Sequence, residues 1–187
     1  MIRENPIKRR LKAGETCIGT FAKFTDPAAV EILALSGFDF VVIDREHTQM
    51  DNETMVNLIR AAHGGGITPT VRVRELNAAD ILHALDAGAL GVQVPQVNTV
   101  AHARAVVDAV KYAPLGRRGY AATHRSAHYG FDDPAAYATK SNAETLVTVY
   151  CETREAVDNL DAILAVPGLD VIFLGPADLS ASYGVIG

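Results

Sequence analysis

Short runs of apolar, often β-branched residues recur along this chain, and each gives way to a longer stretch whose apolar positions return every three to four residues. The first pattern reads as strand and the second as amphipathic helix. Strands are predicted over residues 17–21, 40–43, 70–73, 91–97, 146–149 and 171–174, and helices over 27–35, 53–62, 78–85, 100–110 and 155–164. Asp26 before Pro27, and Asn77, offer N-terminal caps, while Gly37 and Gly88 follow helix ends. Regular alternation of strand and helix is the signature of βα units around a parallel sheet. Six units are present, the last unfinished. A closed (β/α)8 TIM barrel typically takes about 250 residues, so the expected fold is an α/β barrel truncated after its sixth strand. One barrel domain then spans residues 1–187, with the C-terminal two βα units missing.

One connection is long, from Tyr112 to Glu144, and holds Arg117, Arg118, His124, Arg125 and His128. It reads either as a substrate-facing segment or as a surface excursion with a short helix over 134–139. The net charge of −5 and the scattered basic residues give no concentrated basic face, so nucleic acid is not an expected partner. No window reaches the roughly 18 uninterrupted apolar residues of a membrane span, and the start lacks a signal-peptide apolar run. The expected location is the cytoplasm. Cys17 and Cys151 both fall in predicted strands, where an isolated cysteine behaves as a small buried hydrophobe.

Chemistry-bearing residues gather where predicted strands end, which is where parallel α/β proteins build active sites. Asp44, Arg45, Glu46 and His47 follow one strand, Glu152 another, and Gly175, Pro176, Ala177 and Asp178 a third. Glu152 and Asp178 are hard oxygen donors that suit Mg²⁺ or Mn²⁺, with Co²⁺ or Zn²⁺ as further candidates. The alternative is that each caps the helix after it. The turn from Gly175 to Ala177 offers free N–H groups for a carboxylate, or is simply a strand-to-helix turn. A 2-oxo acid would satisfy both a metal and such a turn. His47 is a natural general base, or a structural histidine. Arg72 interrupts a buried strand and must find an anion, either a substrate oxygen or Glu75 or Asp44. His124 and His128 have the spacing of a metal pair but no third ligand nearby. Lys23 is the lysine near the proposed mouth and the candidate for a Schiff-base alternative.

The segments from Phe38 to His47 (FDFVVIDREH), Val71 and Arg72, Tyr112 to Gly119 (YAPLGRRG), Glu152 to Leu160 (ETREAVDNL) and Phe173 to Ser180 (FLGPADLS) resemble the HpcH/HpaI aldolase family, class II pyruvate aldolases related to the citrate lyase β subunit. The resemblance runs from about Gly19 to the last residue. It implies a (β/α)8 barrel that reversibly cleaves 4-hydroxy-2-oxo acids to pyruvate and an aldehyde. It also implies a divalent metal held by Glu152 and Asp178, and an acid/base at His47 paired with Asp86 and working through water. Arg72 is implied at the keto oxygen, with Asp44 in the same catalytic set, and backbone amides around Gly175, Ala177 and Asp178 at the pyruvate carboxylate, with Pro176 in the same substrate-binding turn. Relatives of the family form hexamers that exchange the last helix, so a homo-oligomer is implied. Tyr150 stands where relatives commonly carry glutamine, and Arg45 where they carry a small or apolar residue. A CoA-ester lyase of the citrate lyase β type and a catalytically inactive barrel fragment are the alternative readings.

Overall fold

Each strand sorts its side chains by parity, one set toward surrounding helices and the other toward an interior lumen. The computed structural model describes residues 4–186. Its strands are β1 (Gly19–Ala22), β2 (Phe40–Asp44), β3 (Thr68–Arg72), β4 (Gly91–Val94), β5 (Leu146–Cys151) and β6 (Val171–Leu174). They pair in parallel in that order. Val41, Ile43, Val71, Val92, Val94, Val147 and Val149 face outward and form the main core with residues such as Leu58, Ile59, Ile81 and Val106 of the helical layer. Each such fully buried aliphatic side chain contributes about 1.5–3 kcal/mol. The opposite parity carries Phe21, Val42, Thr70, Gln93, Thr148 and Phe173 around a lumen of about 240 Å³. Phe21 of β1 meets Phe173 of β6 edge-on, with ring centroids 6.0 Å apart. The six-stranded sheet is therefore curled into an incomplete barrel.

The helices are α1 (Pro6–Lys12), α2 (Pro27–Leu35), α3 (Asn52–Gly65), α4 (Ala78–Asp86), α5 (Val100–Val110), α6 (Pro134–Glu144), α7 (Arg154–Asp158), α8 (Leu160–Leu164) and α9 (Pro176–Ser182). Asp26 and Asn77 cap α2 and α4 as their sequence positions predict, and Asp51, Thr99, Asp133 and Thr153 do the same for α3, α5, α6 and α7. None of these helices is long and apolar enough to cross a membrane.

Three features differ from the sequence expectation. α1 is a short polar helix with only Ile7 and Leu11 on an apolar stripe, too weak a period to register; Asn5 caps it, and buried Lys8 donates to Thr145 O and pairs with Asp170 at 2.9 Å. The helix predicted over 155–164 breaks at Asn159, whose amide donates to Asn98 O and whose backbone leaves the helical region. Cys17 lies before β1 and lines the lumen rather than sitting in a strand.

Candidate active site

Because β-strand parity persists past the last ladder bond, residues at even spacing beyond a lumen-facing position gather over the lumen mouth. An open cleft of about 260 Å³ lies there, at the C-terminal ends of the strands, lined by Phe21, Lys23, His47, Arg72, Tyr150, Glu152 and Phe173, and by Gly175 to Asp178.

Asp44 and Arg72 are register partners on β2 and β3, and their side chains form a two-pronged ion pair. Arg72 Nε donates to Asp44 Oδ1 at 2.9 Å and Nη2 to Oδ2 at 2.6 Å. Asp44 also accepts from the backbone N–H groups of Glu46 and His47. Burial alone would raise its pKa, but the Arg72 bonds and charge, together with the two backbone N–H bonds, hold the carboxyl below the usual range. The second strand-end option, pairing of Arg72 with Glu75, is not taken. Instead Glu46 places Oε2 3.1 Å from Arg72 Nη1 and 3.7 Å from His47 Nε2. Burial pushes the Glu46 carboxyl up despite those cations. Its two-residue spacing from Asp44 is the signal that places it on the same side of β2, within reach of Arg72.

Glu152 is buried at 2 % exposure directly after β5. Its Oε1 accepts from the Gln96 N–H at 2.7 Å, and Gln96 adopts a left-handed φ of 57°. A Cβ on Gly175 would stand 2.8 Å from Glu152 Oε2, so glycine there keeps the carboxylate's berth open. Burial raises the Glu152 pKa, the Gln96 bond opposes this, and the negative charges of Glu46 and Asp178 add to the rise. Asp178 enters from the first turn of α9. The capping alternative fails for Glu152, since Thr153 caps α7 instead.

The Glu152 and Asp178 carboxylates that line the cleft have the hard-oxygen chemistry a divalent cation would need. The negative charges of Glu46 and Asp178 add to the burial that raises the Glu152 pKa, a repulsion that bound positive charge would relieve. Among the described residues no group of three or more acidic, histidine or cysteine side chains is placed to hold a metal ion. Two carboxylates with open positions match Mg²⁺ or Mn²⁺, which keep water and substrate oxygens as ligands.

The floor of the cleft is aromatic. Tyr150 stacks on Phe173 at 4.2 Å, the Arg72 guanidinium lies 4.8 Å from the Phe21 ring centre, and the Tyr150 hydroxyl donates to Gln93 Oε1 at 2.7 Å. Arg45 is buried beneath the His47 segment, 3.8 Å from Asp80 and in contact with Met55 Sδ. Lys23 is half exposed, 3.7 Å from Asp44 Oδ2, and lacks the desolvated surroundings of a Schiff-base lysine.

Asp86 does not join His47 in this chain. It is the last residue of α4, which runs back from the C-terminal end of β3, so it lies at the opposite end of the barrel. There it pairs with buried Arg118 at 2.6 Å and approaches His124 Nε2 at 3.6 Å. The long 112–144 connection packs at that far end too, where Arg125 donates to Ala87 O, and α6 extends the short helix expected at 134–139 to Glu144. The connection is an excursion away from the cleft. His124 turns inward onto Ser126 and Tyr137, whereas His128 pairs with Asp132 at 3.3 Å, so the two do not form a metal pair.

The family model for HpcH/HpaI aldolase/citrate lyase matches residues 17–187. A 2-keto-3-deoxy-L-rhamnonate aldolase from Klebsiella pneumoniae is 41% identical over 181 residues, covering 96% of this chain and 67% of the relative. A 2-dehydro-3,6-dideoxy-6-sulfogluconate aldolase from Pseudomonas putida is 38% identical over 177 residues, covering 95% and 69%. The crystal structure of an HpcH/HpaI aldolase from Desulfitobacterium hafniense superposes with a TM-score of 0.90 at 32% identity, over 97% of this chain and 70% of that one. The chain thus spans about two thirds of the length of relatives named as aldolases, which are carbon–carbon lyases. By matched length, sequence identity and fold alike, it belongs to the HpcH/HpaI aldolase/citrate lyase family.

Proposed function

We propose that this protein is a metal-dependent class II aldolase that reversibly cleaves a 4-hydroxy-2-oxo acid to pyruvate and an aldehyde. The observation that carries the reading is the buried Glu152 carboxylate, held by Gln96 against Gly175 and facing a cleft that also contains Asp178 and Arg72. Glu152 and Asp178 would hold Mg²⁺ or Mn²⁺, which supplies Lewis-acid polarisation of the 2-oxo group. Arg72, locked by Asp44, keeps a fixed positive charge facing the oxygen on which negative charge develops. The backbone N–H groups of Ala177 and Asp178 receive the donor carboxylate, since the Gly175 N–H is taken by Cys151 O at 3.3 Å and Pro176 has none. His47, half exposed beside Glu46, takes the proton of the 4-hydroxyl as the C3–C4 bond breaks, and returns a proton to C3. In condensation the same groups work in reverse. Asp86, at the far end of its own barrel, serves a His47 only across the contact of a homo-oligomer; within one chain Glu46 is the carboxylate beside His47.

The test is exchange of pyruvate methyl protons in deuterated water, followed by NMR with Mg²⁺ or Mn²⁺ and then with excess chelator. Metal-dependent, chelator-sensitive exchange is expected. Exchange that survives chelation and is trapped on Lys23 by borohydride would replace this mechanism with a Schiff base. Competition by acyl-CoA esters against pyruvate would move the substrate class to that of a citrate lyase.

A further inference from the structure

Of the residues that line the cleft, Lys23 and Arg72 are the lysine and the arginine. Arg72 is committed on three nitrogens, two to Asp44 and one to Glu46. Lys23 is not. It follows β1, two positions beyond the lumen-facing Phe21, so strand parity carries its side chain over the mouth. Its ammonium stands 3.7 Å from Asp44 Oδ2, outside hydrogen-bond distance, and 53% of the side chain is open to solvent. Asp44 already has its neutralising partner in Arg72, so a second cation there is not required by the charge of Asp44 alone.

Resting on the aldolase reading, the donor half of the substrate occupies the wall made by Glu152, Gly175 and Asp178. The rest of the lining, Lys23 after β1 and His47 after β2, is then left for the carbon that joins it. We propose that Lys23 is a specificity-determining residue for that acceptor half, and that its ammonium binds an anionic group carried by the aldehyde, a carboxylate or an oxyanion of phosphate type. A lysine ammonium suits this task as a point charge with three rotatable donors on a long stem, able to follow a flexible ligand end where the fixed fork of an arginine cannot. The relatives' names already span the distinction: one names a sulfonated substrate and the other does not.

The experiment compares the intact protein with Lys23→Met and Lys23→Arg, using pyruvate with Mg²⁺ and three aldehydes: succinic semialdehyde, glyceraldehyde 3-phosphate and uncharged lactaldehyde. A charge-assisted, half-exposed contact predicts that Lys23→Met lowers the ratio of kcat/KM for an anionic aldehyde over lactaldehyde about tenfold, mainly through KM, and that Lys23→Arg restores most of it. Loss in the semialdehyde arm alone identifies the group as a carboxylate, and loss in the phosphate arm alone as a phosphate. A purely structural role, or one of steadying Asp44, would depress all three aldehydes together and leave the ratios unchanged; that outcome overturns the assignment. Pyruvate proton exchange by the unaltered protein separates the two levels. If exchange occurs and the ratios do not move, only the Lys23 assignment falls; if no exchange occurs with Mg²⁺ or Mn²⁺, the aldolase reading falls and this assignment with it.

Discussion

Gly175→Ala is the smallest change that should damage the chemistry while sparing the fold. The glycine has φ −94°, which alanine adopts freely, so the substitution introduces no backbone strain. Its methyl group would instead sit 2.8 Å from Glu152 Oε2 and 3.0 Å from Glu152 Cβ. Glu152 cannot swing aside without surrendering the 2.7 Å bond from Gln96. If the turn yields instead, Asp178 moves with it. Overpacking of this kind costs about 1–3 kcal/mol, partly offset by about 0.4–1 kcal/mol from the stiffer unfolded chain. Net destabilisation should therefore stay within about 0–3 kcal/mol. For a chain of this size, roughly 2–4 °C of melting temperature accompanies each kcal/mol. A displacement of about 1 Å in a positioned ligand costs on the order of 10²-fold in rate. Metal-dependent pyruvate exchange should accordingly fall about 100-fold, with a weaker apparent metal affinity in a Mn²⁺ titration. Gly119→Ala is the control, since a Cβ there meets nothing within 4 Å. Exchange at the unaltered rate and metal affinity in Gly175→Ala would refute the reasoning.

Other perturbations follow from the same geometry. Glu152→Gln removes a buried charge that sits near two like charges, so in chelator at neutral pH it should melt higher than the unaltered protein; added Mn²⁺ should then give it little further stabilisation, and a preserved metal-induced rise would count against Glu152 as a ligand. Asp86→Ala strands the buried Arg118 guanidinium, whose Nε already lacks an acceptor, and should cost about 3 kcal/mol in urea unfolding; a loss under about 1 kcal/mol would mean that the pair is idle. Lys111 is pushed down to about 8 by burial and by neighbouring Lys8, so the unfolded chain, with its ordinary value of 10.5, holds that proton more tightly. Between pH 8 and 10 the unfolded state binds more protons, and stability should rise with pH by up to about 3 kcal/mol from this group. Lys111→Met should flatten the rise; above pH 10 the buried phenols of Tyr112 and Tyr150, whose pKa values burial raises, reverse the trend.

The strands were legible because their helix-facing parity is written in valine and isoleucine, and much of the cleft lining because charges at the ends of such runs have few other reasons to be there. Arg72 shows the limit of that reading: the sequence offers Glu75 and Asp44 as partners, and only the β2–β3 register decides for Asp44 and adds Glu46. Gln96 was not legible, since a backbone N–H donor in a left-handed conformation leaves no mark in residue type. Asp86 lies within a recognisable motif, but which end of the barrel it occupies follows from the direction of α4, a property of the connection rather than of the residue. α1 went unread because its stability comes from tertiary anchors, Asn5 to Leu90 O and Glu144 O and Lys8 to Asp170, that join positions more than 80 residues apart.

The pairing of Asp44 opposite Arg72 also acts as a proofreading mark for assembly of the sheet. A slip of one residue between β2 and β3 would set Arg72 against Ile43 and turn its guanidinium into the aliphatic layer, an error of several kcal/mol that the chain has no means to absorb. The same two side chains that give the cleft its fixed charge would thereby disfavour mispaired intermediates, so one pair of residues sets both the charge of the cleft and the register of the sheet. Variants that drift at this pair should lose both traits at once, which would keep the pair constant even in descendants whose substrates have changed.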